Sequence, residues 1–163
     1  MDSQLSVPRD VGRYPHKRMM PDDDTFLADF EACRWPLSKW HHREHIKLAY
    51  LYLRRSSFEE ALSRIRNCIK AHNKFHDLPD SQTSGYHETI TQAWFRLVQF
   101  VIDEDGPATD ADEFYEAHPE LAQKMTLRLL YSRKLIMSHK AKMEFCEPDL
   151  IPFPKRREHN TSG

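Results

Sequence analysis

The placement of chain-breaking residues constrains the fold of this 163-residue chain more than any other feature. All ten prolines and all four glycines lie outside the segments with helical apolar spacing, or at the ends of those segments. Proline removes a backbone donor, and glycine increases the conformational entropy of the unfolded chain, so both are disfavoured inside helices and strands. No segment alternates apolar and polar residues between hairpin turns, as paired strands would. The sequence therefore predicts an all-α protein, a compact single-domain bundle of five to seven helices.

Three segments have the clearest helical spacing, and the second of them begins with a capping box. In that box Ser57 and Glu60 form the pattern S-x-x-E, in which each side chain satisfies a backbone donor of the other residue. We predict a flexible N-terminal arm over 1–21, a helical domain over 22–154 and a disordered tail over 155–163. The predicted helices are about 22–34, 40–56, 57–72, 86–103, 110–117 and 119–130, with one or two short helices between 132 and 145.

Charge and hydropathy exclude two classes of partner. The formal net charge is -1, whereas nucleic-acid binders need basic residues to neutralise phosphates, so we expect no nucleic-acid partner. No apolar run approaches the roughly 20 residues that cross a bilayer, and the N-terminus lacks the apolar core of a secretory signal. The cysteines Cys33, Cys68 and Cys146 form no C-x-x-C pair, which favours a reducing environment. We therefore expect a cytoplasmic protein without a membrane partner.

A pair of histidines heads the buried stripe of the helix predicted from Trp40. His42 and His45 are three residues apart, so they share one helix face with Ile46 and Ala49. His41 points about 100° away from His42 and is predicted to lie on the surface. Two imidazoles on one helix face can bind one metal ion, as the two histidines of the motif H-E-x-x-H do. The alternative is a helix start with solvated histidines.

A third histidine begins the helix predicted over 86–103. If the helix starting at Ser57 returns the chain, the helices on either side of it run parallel, and their N-terminal ends meet. His87 would then join His42 and His45 in a site suited to zinc or iron. The alternative for His87 is a core histidine bonded to a carbonyl.

The residues beside His87 add candidates for chemistry. Glu88 is a candidate ligand, partner of a ligand or general base, and Tyr86 is a candidate catalytic or ligand-orienting residue. The alternatives are that Glu88 stabilises a helix N-terminus and that Tyr86 is a half-buried core residue. His72 is a candidate fourth ligand or a residue that stabilises a helix C-terminus. Asp149 either reaches back into the pocket or belongs to an extended strap.

Several motifs together resemble a family of small helical, mostly microbial proteins of uncharacterised function. They are W-x-H-x-x-H at residues 40–45, Y-H-E-T-I-T at 86–91, L-L-Y-S at 129–132 and E-P-D-L at 147–150. The resemblance covers residues 26–154. It implies a helical fold and a site at these motifs, and it attaches no activity to them.

These observations predict a metal-dependent enzyme. A mononuclear site of His42, His45 and His87, with zinc or iron, would activate water for hydrolytic or lyase/isomerase chemistry on a small acidic metabolite. Two helix N-termini at one end of the bundle would favour such an anionic substrate. One alternative is a metal-free helical module that binds a ligand or a protein. The other is a non-haem iron enzyme with oxidative chemistry.

Overall fold

The computed structural model describes residues 21–157. Residues 1–20 of the predicted arm and 158–163 of the predicted tail lie outside the described residues. A short 3₁₀ turn, Leu37–Lys39, follows the first helix. The helices are α1 (Asp23–Glu31), α2 (His42–Arg55), α3 (Phe58–Phe75), α4 (Glu88–Asp105), α5 (Ala111–Ala117), α6 (Pro119–Ala122), α7 (Thr126–Leu130), α8 (Arg133–Ile136) and α9 (His139–Met143).

The all-α prediction is confirmed for residues 21–157, which contain no β-strand beyond an isolated bridge between Ser81 and Ser84. Helices α1 to α5 have seven or more residues each, and they correspond to the first five predicted helices. Helices α6 to α9 have four or five residues each, because turns divide the segment after Pro119 into short pieces. None of the described helices has the length and hydropathy that crossing a membrane requires.

Capping residues set the boundaries of the long helices. The predicted box at α3 is confirmed, with 3.4 Å from Glu60 N to Ser57 Oγ and 3.4 Å from Ser57 N to Glu60 Oε2. Helix α3 continues to Phe75, three residues past the predicted end. Helix α4 begins at Glu88 rather than at Tyr86, because His87 acts as its N-cap. Such caps supply partners for backbone donors that the first helical turn leaves free.

Helix α2 is the centre of the bundle and packs against α3, α4 and α5. Its buried apolar residues join one core that includes residues from α1 to α7. The core residues contributed by α2 are Ile46, Leu48, Ala49, Tyr50, Leu51 and Tyr52. An amphipathic helix buried in this way takes most of its stability from packing rather than from intrinsic propensity.

Two contacts establish the relative direction of the three long helices. Trp40, which precedes α2, lies 5.4 Å from His72, near the end of α3, between ring centroids. Lys70 Nζ, from the last third of α3, lies 4.9 Å from the ring centroid of Tyr86, which shortly precedes α4. Helix α3 is therefore antiparallel to both neighbours, and α2 and α4 run parallel, as the sequence predicts.

An extended strap follows α9 and returns to α7 and α8. Asp149 accepts hydrogen bonds from Ser132 N at 2.7 Å and from Ser132 Oγ at 2.5 Å. Tyr131 donates from its hydroxyl to Cys146 O at 2.7 Å, and Leu150 N donates to Leu130 O. The structure matches the strap alternative for Asp149, because this carboxylate binds Ser132, the N-cap residue of α8.

Candidate functional site

His42 and His45 lie at the start of α2, as predicted, but each is bonded to a backbone carbonyl. His42 Nε2 donates to Leu121 O at 2.7 Å, and His45 Nδ1 donates to His41 O at 2.9 Å. The ring of His45 lies 3.8 Å from that of Trp40 between centroids. Burial lowers the pKa of His42, and it lowers the pKa of His45 to about 4. Both rings are therefore neutral at physiological pH.

His72 brings a third imidazole to this end of the bundle. It is fully buried, and its Nε2 donates to Trp35 O at 2.8 Å. The centroid of its ring lies 4.8 Å from that of Phe30 and 4.4 Å from that of His76. Its Nδ1 is buried without a hydrogen-bond partner among the described residues. His72 thus packs as an aromatic core residue that joins α3 to the segment before α2.

His87 does not join His42, because the two parallel helices are offset along their axes. The neighbour of His42 on α4 is Trp94, with 4.6 Å between ring centroids. Trp94 follows His87 by seven residues, which is roughly 10 Å along a helix. Both nitrogens of His87 have partners: Nδ1 accepts from Ile90 N at 3.1 Å, and Nε2 donates to Ile136 O at 2.8 Å. The carbonyl-bonded alternative for His87 therefore matches the structure.

The predicted metal ligands consequently do not assemble into one group. Across residues 21–157, no three His, Cys, Asp or Glu side chains are arranged so that they could hold a metal ion. The set His42, His45 and His87, with zinc or iron as the cofactor, stays a prediction without support from the geometry.

Glu88 is held in a network that links α3 to α4. Its carboxylate accepts from Arg66 Nε at 3.0 Å, Arg66 Nη2 at 2.5 Å, Tyr86 Oη at 2.6 Å and Gln92 Nε2 at 2.8 Å. Burial raises the pKa of Glu88, but hydrogen bonds from Arg66, Tyr86 and Gln92 outweigh burial and lower it to about 2. Burial and the bond to Glu88 raise the pKa of Tyr86. A carboxylate so fully bonded is a weak proton acceptor, and the geometry favours a structural role.

A cleft of about 450 Å³ lies beside this network, between the end of α3, the loop before α4, and α9. We call it the lysine cleft. Its lining residues are Lys70, Asn73, Lys74, Leu78, Asp80, Gly85, Tyr86, Lys142 and Met143. Three lysines face one aspartate in this lining, so the formal charge of the cleft is positive.

The aromatic wall of the lysine cleft is Tyr86. Its ring lies 4.9 Å from Lys70 Nζ, a distance at which an ammonium is attracted to the face of a ring. The hydroxyl of the same residue is bonded to Glu88, which fixes the orientation of the ring. Of the predicted site residues, Tyr86 alone is among the residues that line the cleft.

Sequence reasoning missed the lysines of this cleft. Lys70 and Lys74 are four residues apart on α3 and share a helix face, which was the available signal. Lysines at such spacing usually belong to a solvated surface, so the signal is weak. Lys142 comes from α9, and only tertiary packing brings it to the same cleft.

Comparison with known proteins gives no matching family model, no matching curated protein and no matching solved structure. The resemblance carried by the W-x-H-x-x-H and Y-H-E-T motifs therefore stays a prediction.

Proposed function

We propose that the protein binds a small anionic molecule in the lysine cleft. The observation that carries this proposal is the convergence of Lys70, Lys74 and Lys142 on one concave surface. The volume, about 450 Å³, falls within the range typical of small-molecule sites. Concave surfaces lined by one sign of charge also concentrate ligands of the opposite sign.

The lining also offers contacts for the uncharged part of such a ligand. Leu78 and Met143 supply apolar surface, and Tyr86 supplies an aromatic face. The Oδ1 atom of Asn73 is buried without a hydrogen-bond partner among the described residues. A ligand that donates a hydrogen bond to this amide would remove the cost of an unpaired acceptor.

This proposal corresponds to the metal-free alternative derived from the sequence. The metal-dependent hydrolase or lyase and the iron oxidative enzyme both depend on ligands that the geometry does not group. The anionic ligand expected from the sequence is retained, but its charge is matched by lysines instead of histidines and helix N-termini.

The test is a titration of the full chain with inorganic pyrophosphate and with succinate, followed by backbone amide NMR shifts. We expect shifts in residues 70–86 and 142–143, and an affinity that falls as salt is added, because the contacts are ionic. Lys70→Gln and Lys74→Gln should each weaken binding about three- to tenfold. Lys140→Gln is the matched control, because Lys140 lies on α9, is exposed and does not line the cleft.

Two results would contradict the proposal. One is the absence of saturable binding by either anion at low salt. The other is an equal loss of affinity in Lys140→Gln and Lys70→Gln, which would indicate a general surface-charge effect.

A further inference from the structure

The cleft contains an ammonium group that is already neutralised from within the chain. Lys142 Nζ donates to Ser84 O at 3.0 Å and to Tyr86 O at 2.7 Å. Its third contact is Asp80 Oδ1, at 2.9 Å. An ammonium has three donor hydrogens, so these acceptors satisfy it completely. Among the described residues, Asp80 is its one charged partner.

The two members of this ion pair differ sharply in exposure. The side chain of Lys142 is 8% exposed, whereas that of Asp80 is 76% exposed. The ammonium therefore cannot turn to bulk water, but the carboxylate can be solvated with little movement. Asp80 is therefore the member of the pair that another group can replace.

The loop is shaped around the carboxylate of Asp80. A Cβ atom added at Gly85 would lie 2.5 Å from Asp80 Oδ1, the same oxygen that contacts Lys142. Gly85 also has φ +90°, a conformation that L side chains rarely adopt. The absence of a side chain at Gly85 thus leaves room for an anionic oxygen next to the buried ammonium.

We infer that Asp80 occupies the anion position of the lysine cleft as an internal substitute, and that the ligand displaces it from Lys142. This inference rests on the proposed function. Lys142 exchanges one ion-pair partner for another. Its ion pair with Asp80 breaks, an ion pair with the ligand forms, and the freed carboxylate of Asp80 is solvated.

The displacement requirement defines the class of ligand. Asp80 is tethered four residues from Ser84 and five from Gly85, so its effective concentration at Lys142 is high, on the order of millimolar or above. A monocarboxylate would replace one carboxylate by another and gain nothing. A molecule with a second negative charge also gains contacts with Lys70 or Lys74. The cleft therefore selects phosphate esters or dicarboxylates over monocarboxylates.

The test compares Asp80→Asn with Asp77→Asn in the full chain. Both variants remove one negative charge from the same loop region, but Asp77 does not line the cleft. Titrations use pyrophosphate, succinate and acetate, followed by calorimetry and amide NMR shifts. We expect Asp80→Asn to bind pyrophosphate about two- to fivefold more tightly than the wild type, and Asp77→Asn to be unchanged. Acetate should bind measurably only to Asp80→Asn.

A second measurement uses the wild-type chain and does not depend on how well the variant folds. The side-chain carboxyl ¹³C shift of Asp80 should move on saturation with pyrophosphate, because the carboxylate leaves Lys142. An unmoved Asp80 shift in saturated protein would overturn the inference. Equal or weaker pyrophosphate binding in a folded Asp80→Asn variant would do the same.

The failure of this inference differs from the failure of the proposed function. If the wild type binds pyrophosphate and Lys70→Gln weakens that binding, the cleft is an anion site whatever Asp80 does. If no variant binds any of the three anions, the site itself is refuted, and the role of Asp80 with it.

Discussion

The imidazole of His42 packs against the indole of Trp94, with 4.6 Å between the ring centroids. A tryptophan thus occupies the place on α4 where a mononuclear metal centre would need its third imidazole. His42 retains one ring nitrogen bonded to Leu121 O, and burial keeps the ring neutral. This relationship makes the metal hypothesis directly testable.

Protein purified without a histidine tag should contain no stoichiometric zinc or iron. The reason is that His87 uses both ring nitrogens within the fold, so it cannot also donate to a metal. Elemental analysis of the purified chain, repeated after incubation with zinc and desalting, measures this. Stoichiometric metal that disappears in both His42→Ala and His87→Ala would contradict the expectation and restore the metal-dependent enzyme.

A matched pair of variants separates a capping role for His87 from a ligand role. His87→Asn retains a side-chain acceptor for Ile90 N, whereas His87→Ala removes it. We expect His87→Ala to lower the free energy of unfolding by about 1 kcal/mol more than His87→Asn, the usual contribution of an N-cap. Urea denaturation measures the difference, and equal stabilities of the two variants would refute the capping role.

The helices and their order could be predicted from the sequence, but the axial register of α2 and α4 could not. Apolar spacing and the Ser57 capping box identify helices, and the alternation of direction follows from their order. Register depends on how individual side chains interdigitate. The spacing of apolar residues therefore does not reveal whether His42 packs against Trp94 or against His87. The lysine cleft was missed for a similar reason, since Lys70 and Lys142 become neighbours of one cleft only through packing of α9.

Glu88→Gln should reduce the acid sensitivity of the fold. The folded pKa of Glu88 is lowered from 4.5 to about 2, so an unfolded chain binds a proton at higher pH than the folded one does. The stabilisation by this carboxylate is therefore complete above pH 4.5 and is lost as the pH falls towards 2. At neutral pH we expect Glu88→Gln to be less stable by about 1–3 kcal/mol, since Arg66 loses its charged partner.

Urea unfolding at several pH values between about 6 and 3 measures this effect. The free energy of unfolding should fall more steeply for the wild type than for Glu88→Gln. Glu104→Gln, an exposed acid near the end of α4, should keep the wild-type slope. Parallel slopes for the wild type and Glu88→Gln would show that the network around Arg66 does not lower the pKa of Glu88.

His45→Phe should make the fold less sensitive to mild acid. Burial lowers the pKa of His45 from 6.5 to about 4, so the unfolded chain binds the extra proton between these values. Stability due to this neutral ring is complete above pH 6.5 and declines as the pH falls towards 4. Phenylalanine retains the ring contact with Trp40 and cannot be protonated. Thermal melts at about pH 7 and pH 5 should differ less for His45→Phe than for the wild type, with the exposed His139→Asn as control.

The Tyr86→Phe variant tests whether Tyr86 acts on the ligand through its ring or through its hydroxyl. The ring lies 4.9 Å from Lys70 Nζ, whereas the hydroxyl donates a hydrogen bond to Glu88 at 2.6 Å. Removing the hydroxyl should lower the free energy of unfolding by about 0.5–1.5 kcal/mol and leave pyrophosphate affinity within about twofold of the wild type. Tyr86→Ala removes the wall as well and should weaken pyrophosphate binding further. A loss of affinity in Tyr86→Phe as large as that in Tyr86→Ala would mean that the hydroxyl itself contacts the ligand, as the sequence-based assignment of Tyr86 to the chemistry requires.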